Sequence, residues 1–470
     1  MISLTLAEIA EILGGHLHAH GTAGPATIVS GPAETDSREI VAGGVFFAKP
    51  GEVTDGHLFV RAAIDNGAAV AIVDHVVAEP VSQIVVADVV TALADLARAV
   101  VARVRAHGDL RIIGITGSNG KTTTKNMLAR ILSDEGETVA PIASFNNEVG
   151  APLTMLRVSD TTRYLVSEFG ASGPGEIARL AGLVNPDVGV VLMVGMAHAG
   201  GFGGIEHTVY EKGRLIAAVR PGGTAVLNLD DARVASMQEI AAANDESVLW
   251  FGHAADADVR VSDVAVTGDG TTAIVTVDGV DHPLRMRVLG AHHVMNAVAA
   301  ITAARAVGVP VADAIARIET VELAERWRMQ PMGNASVRII NDAYNASPDS
   351  MSAALRTLAQ IAEPGQRKVA VLGAMSELGE FAGEEHDNIA LLAVRLRFER
   401  IVVVGREARR LYLAAIAEGS WDGEAVFFES ADEAFEYLKT ELRDGDRVIV
   451  KSSNSAGLRH LGDRMGEFFS

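Results

Sequence analysis

Residues 114–122 read Gly-Ile-Thr-Gly-Ser-Asn-Gly-Lys-Thr, a spacing suited to wrapping a polyphosphate. The glycines let backbone N–H groups close around phosphate oxygens, and a helix N-terminus behind the loop favours negative charge. Lys121 is placed to reach the β- and γ-phosphates, and the Thr122 hydroxyl to hold Mg²⁺. Gly117, Ser118, Asn119, Gly120, Lys121, Thr122 and Thr123 are the candidate nucleotide-binding residues. A regulatory GTPase would carry Asn-Lys-x-Asp. The nearest string, Asn228-Leu-Asp-Asp231, lacks the lysine, so ATP is expected.

Three further residues could take part. Glu168 ends the apolar run from Tyr164, and a carboxylate at a strand end beside a phosphate loop is a hard oxygen donor for Mg²⁺. A solvated strand-end glutamate is the alternative. His198 follows the run Val188–Val194 inside Ala197-His-Ala-Gly-Gly-Phe-Gly203. By itself it could equally be a packed or exposed histidine. Lys212, in Tyr210-Glu-Lys-Gly213, reads alone as a routine surface lysine.

Composition narrows the setting. The 470 residues carry 40 Lys+Arg against 60 Asp+Glu, a net charge of −20. That disfavours nucleic acid or an anionic membrane as partner, since both need a basic footprint. There is no cysteine, which excludes disulfides, thiolate zinc sites and a cysteine nucleophile. Residues Met1–Ala10 include Glu8 and no basic n-region, so no secretory signal is expected. The longest stretch free of Asp, Glu, Lys and Arg, Val188–Ile205, contains six glycines. It reads as a strand entering a glycine-rich loop rather than a membrane span. A cytoplasmic protein is the expectation.

The elements that must position these residues follow from apolar periodicity. An opening helix over Thr5–Leu13 stops at Gly14-Gly15. Short buried strands follow at Val45–Phe47 and Val70–Val73, then a helix over Thr91–Arg105. Arg111–Ile115 reads as a strand entering the phosphate loop, with a helix from Thr122 to Ser133. Runs at Tyr164–Val166, Val188–Val194 and Thr224–Leu227 alternate with helices, which predicts a parallel sheet. Val259–Val288 alternates apolar and polar residues as antiparallel strands do, and helices over Met295–Val307 and Val311–Ile318 close the block. The rhythm restarts at Val337–Ile340, Val369–Leu372, Ile401–Val404 and Val448–Val450. The expected fold is α/β in three domains: a small N-terminal α/β domain (1–107), a central phosphate-loop parallel sheet with an antiparallel extension (108–321), and a C-terminal Rossmann-like doubly wound domain (322–470).

Taken together, the residues have a familiar order. Gly-Ser-Asn-Gly-Lys-Thr at 117–122, Ser144-Phe-Asn-Asn-Glu148, Glu168, His198, Lys212-Gly213, Asn228-x-Asp-Asp, Gly290-x-His292-x-x-x-Asn296-Ala, Asn341-Asp-Ala-Tyr-Asn-Ala346 and Leu378-Gly-Glu380 resemble the ATP-dependent Mur ligases. Thr35-Asp-Ser-Arg38, Asp55-Gly-His57 and Asp342-Ala-Tyr-Asn-Ala-Ser-Pro348 are most similar to the branch that joins D-alanyl-D-alanine to UDP-N-acetylmuramoyl-tripeptide. The resemblance runs from about residue 3 to about residue 465. It implies a UDP-substrate domain, an ATPase domain and a C-terminal domain that closes on nucleotide and binds D-alanyl-D-alanine. The implied reaction makes an acyl phosphate and ADP, then a peptide bond, in peptidoglycan precursor synthesis. A monomer is expected.

The resemblance also implies roles. Lys121 matches the phosphate-binding lysine and Thr122 a ligand of the first Mg²⁺. Glu168 matches the metal carboxylate, and His198 the ligand of a second Mg²⁺. Lys212 matches the lysine carbamylated by CO₂ in this family. Asn296 falls in the adenine-contacting motif. Asp342 matches the acidic residue on the ribose, and Arg328 the arginine reaching phosphate. Asp36, Ser37 and Arg38 match the UDP-substrate loop, while Asn146, Asn147 and Asn345 fall among substrate-binding positions. The chain departs from the family pattern at Met193, Gly200, His292-His293, Ala374 and Lys451-Ser-Ser-Asn454, with no implied metal or phosphate position lost. The alternatives are a sister ligase adding the third amino acid, a folylpolyglutamate synthase-like ligase, and an ATP-dependent binding switch without ligase activity. The Asp-Asn-Pro-Arg typical of the diaminopimelate-adding ligase is absent.

Overall fold

A computed structural model describes residues 1–51, 54–142, 144–171, 173–195, 204–321, 326–418 and 424–470. The first helix, Leu6–Ile12, begins at a reciprocal cap. The Glu8 N–H donates to the Thr5 hydroxyl at 3.1 Å, and the Thr5 N–H donates to the Glu8 carboxylate at 2.8 Å. The helix ends before Gly14, whose φ of +56° suits glycine.

Among the described residues the N-terminal sheet has the order His16–His18, Ser82–Val85, Ala68–Val73, Gly44–Phe47, Ala33–Glu34. The first pair is antiparallel and the rest parallel. Its flanking strands are two to four residues long, too short to show a period in sequence. The helix Val89–His107, capped by the Asp88 carboxylate at 2.6 Å from the Thr91 nitrogen, leads to the next sheet.

The central sheet runs Val280–Met286, Gly270–Val277, Val259–Thr267, Ser247–Gly252, Thr224–Asn228, Val188–Val191, Arg111–Thr116, Tyr164–Glu168, Thr138–Val139. Its core is parallel, and only the pairs within Val259–Met286 are antiparallel. The extension predicted over 259–288 is therefore the edge of this same sheet. The strand expected to reach Val194 stops at Val191. Beyond it, side chains take over the backbone groups: Asn228 donates to the Leu192 carbonyl at 2.9 Å, and the Asp231 carboxylate accepts the Val194 N–H at 2.8 Å.

The C-terminal sheet runs Gln330–Gly333, Arg338–Asn341, Arg447–Lys451, Lys368–Leu372, Arg400–Val404, Ala425–Phe428, parallel except for its first pair. The last strand in sequence lies third in space. That reversal of strand order opens a crevice at the strands' C-terminal ends, where ligands bind in such sheets.

One apolar cluster crosses the first boundary. Leu6, Ile9, Leu96, Val100 and Val104 pack into the same buried core as Leu110, Ile112, Leu165, Phe169 and Leu215 of the central unit. No helix among the described residues is long and apolar enough to cross a membrane.

Candidate active site

The phosphate loop joins the strand Arg111–Thr116 to the helix Lys121–Ser133. Gly120 has φ +84°, and a Cβ there would overlap the Asn296 side-chain oxygen, so only glycine fits. Asn296 stands on the helix Ala291–Ala306, buried over most of its surface. That helix begins one turn before the expected Met295. The extra turn brings His292 and His293 into the site.

A cavity of about 590 Å³ opens over the loop. Ser118, Asn119, Gly120, Lys121, Thr122 and Thr123 line one side, with Asn146, Glu168 and Asn296. Arg328, Asp342 and Asn345 line the other, from the C-terminal unit. The two units touch directly. Arg328 Nη2 lies 3.1 Å from Ser144 Oγ and 3.4 Å from Thr122 Oγ1, with its guanidinium 4.3 Å from the Tyr344 ring centroid. The Ser347 hydroxyl donates to Asn119 Oδ1 at 3.0 Å. The site is therefore composite.

The loop's lysine folds back, Lys121 Nζ donating to the Gly117 carbonyl at 2.6 Å. Burial lowers its pKa; Glu168 opposes that shift and Arg328 adds to it. Glu168 pairs with Ile115 across the parallel ladder, which sets it beside the phosphate loop. It is fully buried, one oxygen accepting from Asn146 Nδ2 at 2.7 Å. Its second oxygen has no hydrogen-bond partner among the described residues. A buried, unsatisfied carboxylate oxygen near the Thr122 hydroxyl is the hard-oxygen donor set a magnesium ion takes.

Lys212, on the helix Ile205–Ala217, is 4% exposed and not the surface lysine its local sequence suggests. Burial brings it down to about 7, with the Lys121 ammonium adding to the shift and Glu211 opposing it. Burial likewise brings His292 down to about 4, with Asp342 opposing and Lys451 adding. His293 is lowered well below the ordinary histidine range by burial first, then by His292, Arg328 and Lys451. Both rings are neutral near pH 7.

Asp342 is engaged on both oxygens, accepting the Met329 N–H at 3.0 Å and pairing with Lys451 Nζ at 2.6 Å. Lys451 and Tyr344 also line the cavity, and the sequence alone does not mark them as site residues. Their signal was adjacency to Asn454 and Asp342, visible only once strand ends are brought together.

Other expected residues stand apart. Asp36 and Arg38 pair with each other at 2.5 Å in the N-terminal unit. The Arg38 side chain and N–H hold the Asp36 carboxyl down to about 2. Ser37 is buried, its carbonyl accepting from Asn66 at 2.8 Å. None of the three lines the cavity. Asn147, just before the short helix Gly150–Met155, accepts the Gly150 N–H on its Oδ1 at 2.9 Å. His198 lies outside the described residues.

A second cavity, about 400 Å³, opens at the strand-order reversal of the C-terminal sheet. Asn345, Ala346, Ser347, Ser376, Glu377 and Ser453–Ser455 line it. Asn345 borders both cavities.

Comparison with known proteins places this arrangement. Residues 33–105 match the Mur ligase family catalytic domain, 115–304 the Mur ligase middle domain, and 327–454 the Mur ligase glutamate ligase domain. The UDP-N-acetylmuramoyl-tripeptide--D-alanyl-D-alanine ligase of Mycobacterium tuberculosis is 41% identical over 514 aligned positions, covering 99% of this chain and 98% of that protein. The crystal structure of MurF from Acinetobacter baumannii superposes with a TM-score of 0.88 at 29% identity, covering 99% of each chain. MurF ligase from Thermotoga maritima in complex with ADP gives 0.80 at 26% identity, over 93% of this chain and 97% of that one. With a phosphate loop, a carboxylate at the adjoining strand end and a C-terminal unit closing over both, and with relatives matched end to end, the chain belongs to the Mur ligase family.

Proposed function

We propose that this chain is an ATP-dependent peptide ligase that joins D-alanyl-D-alanine to UDP-N-acetylmuramoyl-tripeptide, forming ADP and phosphate, in peptidoglycan precursor synthesis. End-to-end likeness to ligases of that name is the observation that carries the reading. The composite cavity supports it, because a ligase must hold nucleotide and acceptor on facing units.

An oxygen of the tripeptide carboxylate attacks the γ-phosphorus, the bond to the β-phosphate oxygen breaks, and ADP leaves. The amine nitrogen then attacks the acyl carbon, sheds its proton, and expels phosphate. Carboxylate and amine do not condense unaided in water; phosphorylation supplies the leaving group. The loop N–H groups and Lys121 hold the phosphates as charge moves. Arg328, braced on Tyr344, adds a second cation from the C-terminal unit. Asn296 packs the adenine-side helix against Gly120, and Asp342 with Lys451 frames the ribose. Asp36, Ser37 and Arg38 hold the UDP end, with Asn146 and Asn147 nearer the peptide. The acceptor fits the second cavity beside Asn345.

Two Mg²⁺ ions would be held by Thr122 and Glu168 and by His198 and a carbamate on Lys212; when bound they supply charge neutralisation for the transferring phosphoryl group. Lys212 suits the carbamate because burial lowers its pKa to about 7, which raises the share of neutral amine, the form that captures CO₂. The domain assignments 1–107, 108–321 and 322–470 follow the same reading.

One end-point assay tests the whole: ATP, Mg²⁺, UDP-muramoyl-tripeptide and each candidate amine, read by product mass. ADP formation requires the tripeptide, and the product carries two added D-alanines. A product containing diaminopimelate, D-glutamate or L-lysine instead assigns a sister ligase, and ADP without product assigns a switch.

A further inference from the structure

The loop after the strand Lys368–Leu372 is held from beneath by a histidine that the chemistry above leaves unused. His386, on the helix Ala382–Arg395, is 4% exposed. The Met375 backbone N–H donates to its Nε2 at 3.1 Å, and its Nδ1 lies 2.6 Å from the Ala382 carbonyl oxygen. These partners fix the ring's state. An amide N–H can only donate, so Nε2 carries no proton; a carbonyl can only accept, so Nδ1 carries one.

Met375 precedes Ser376 and Glu377, one wall of the second cavity. The facing wall is Ser453–Ser455. The walls are joined: the Ser453 N–H donates to the Ala374 carbonyl at 2.9 Å, and the Ser376 and Ser455 hydroxyls lie 2.7 Å apart. Glu377 has φ +64°, a backbone state that persists for a non-glycine residue only when its surroundings hold it. His386 lines neither cavity, so it acts only through Met375.

We propose that His386 is a positioning residue for the acceptor: by holding the Met375 N–H it fixes the 374–377 loop against 453–455, and so fixes the hydroxyl wall that binds the dipeptide. The inference rests on the reading that this cavity takes the acceptor. Its lining offers Ser376, Ser453, Ser455 and Asn454 as neutral hydrogen-bonding groups, with Glu377 as the ionisable one. Neutral donors and acceptors of this kind suit a small zwitterion, and their value depends on geometry, since each hydrogen bond weakens steeply with misalignment.

The test is steady-state kinetics on the full chain, with KM for D-alanyl-D-alanine and for ATP measured separately. His386→Leu fills the space without either hydrogen bond, while His386→Gln offers both an oxygen and an N–H. Ser455→Ala reports on the cavity itself. The expected result is a dipeptide KM raised about tenfold in His386→Leu, the loss of one or two hydrogen bonds, with the ATP KM within about twofold of the parent. His386→Gln recovers most of the loss, and Ser455→Ala raises the dipeptide KM as well. Should the Leu variant not fold, His386→Asn, whose shorter amide reaches Ala382 but not Met375, takes its place. A dipeptide KM moved by Ser455→Ala and not by His386→Leu overturns the proposal. So does a parallel rise in both KM values with a lowered Tm, or a Gln variant no better than Leu. If Ser455→Ala also changes nothing, the acceptor lies elsewhere, and the placement in this cavity falls along with the inference.

Discussion

A single side chain can separate phosphate handling from packing. Among the described residues Lys121 donates only to its own loop carbonyl, so Lys121→Ala leaves the core untouched. We expect unchanged circular dichroism and phosphate release lowered about 10²- to 10³-fold, the range for losing one preorganised charge-stabilising group; near-parent turnover in the folded variant would refute the assignment. Lys212 divides two chemistries. If it carries a carbamate, Lys212→Ala is nearly inactive and is partly rescued by acetate or formate, while Lys212→Arg is dead. An active arginine variant would show that positive charge alone is needed. The pH dependence has a definite sign for the unmodified amine. With a native pKa near 7 against an ordinary 10.5, the unfolded chain binds more protons between those values. Burying Lys212 therefore costs stability fully below about pH 7, and the cost fades as pH rises toward 10.5. In CO₂-free buffer, Lys212→Met should flatten the rise in urea midpoint over that window.

Elements, rather than residues, decide whether the phosphate loop can exist. Gly120 combines left-handed backbone with contact to Asn296, so Gly120→Ala costs about 1–2 kcal/mol for the backbone alone. It also pushes the helix Ala291–Ala306 away. The expected outcome is a lowered Tm together with lost nucleotide binding by calorimetry; a Tm change with intact ADP affinity would mean the helix does not shape the site. The strand–loop–helix at 111–133 was legible because apolar run, glycine spacing and helical periodicity all agree there. The stop at Val191 was not, because it is set by Asn228 and Asp231 from another part of the chain. The buried state of Lys212 was invisible for a related reason. Helical periodicity shows which face is apolar, yet not that the surrounding structure buries a lysine on the helix Ile205–Ala217.

At the scale of the whole molecule, the order of three α/β units was readable from where the strand–helix rhythm restarts. Which faces meet was not. The cluster that joins Leu6, Leu96 and Val104 to Ile112, Leu165 and Phe169 draws on segments far apart in sequence, each apolar for reasons that look local. It predicts that separating the chain between 107 and 108 uncovers a large apolar surface on both pieces. Each fragment alone should aggregate or bind a hydrophobic dye, and coexpression should restore a soluble pair. Two independently soluble, cooperatively unfolding fragments would contradict this.

That shared core also has a kinematic consequence. A seam of interlocked aliphatic side chains resists sliding, because packed interiors deform in discrete rearrangements rather than continuously. The N-terminal unit and the ATPase sheet thus count mechanically as one lever. The C-terminal unit, joined at the nucleotide cavity by polar contacts such as Arg328–Ser144 and Ser347–Asn119, is the second. Three units thus act as two bodies. Distance probes between residues of the first two units should stay constant through turnover, while any probe pair spanning to the third should swing about a single axis.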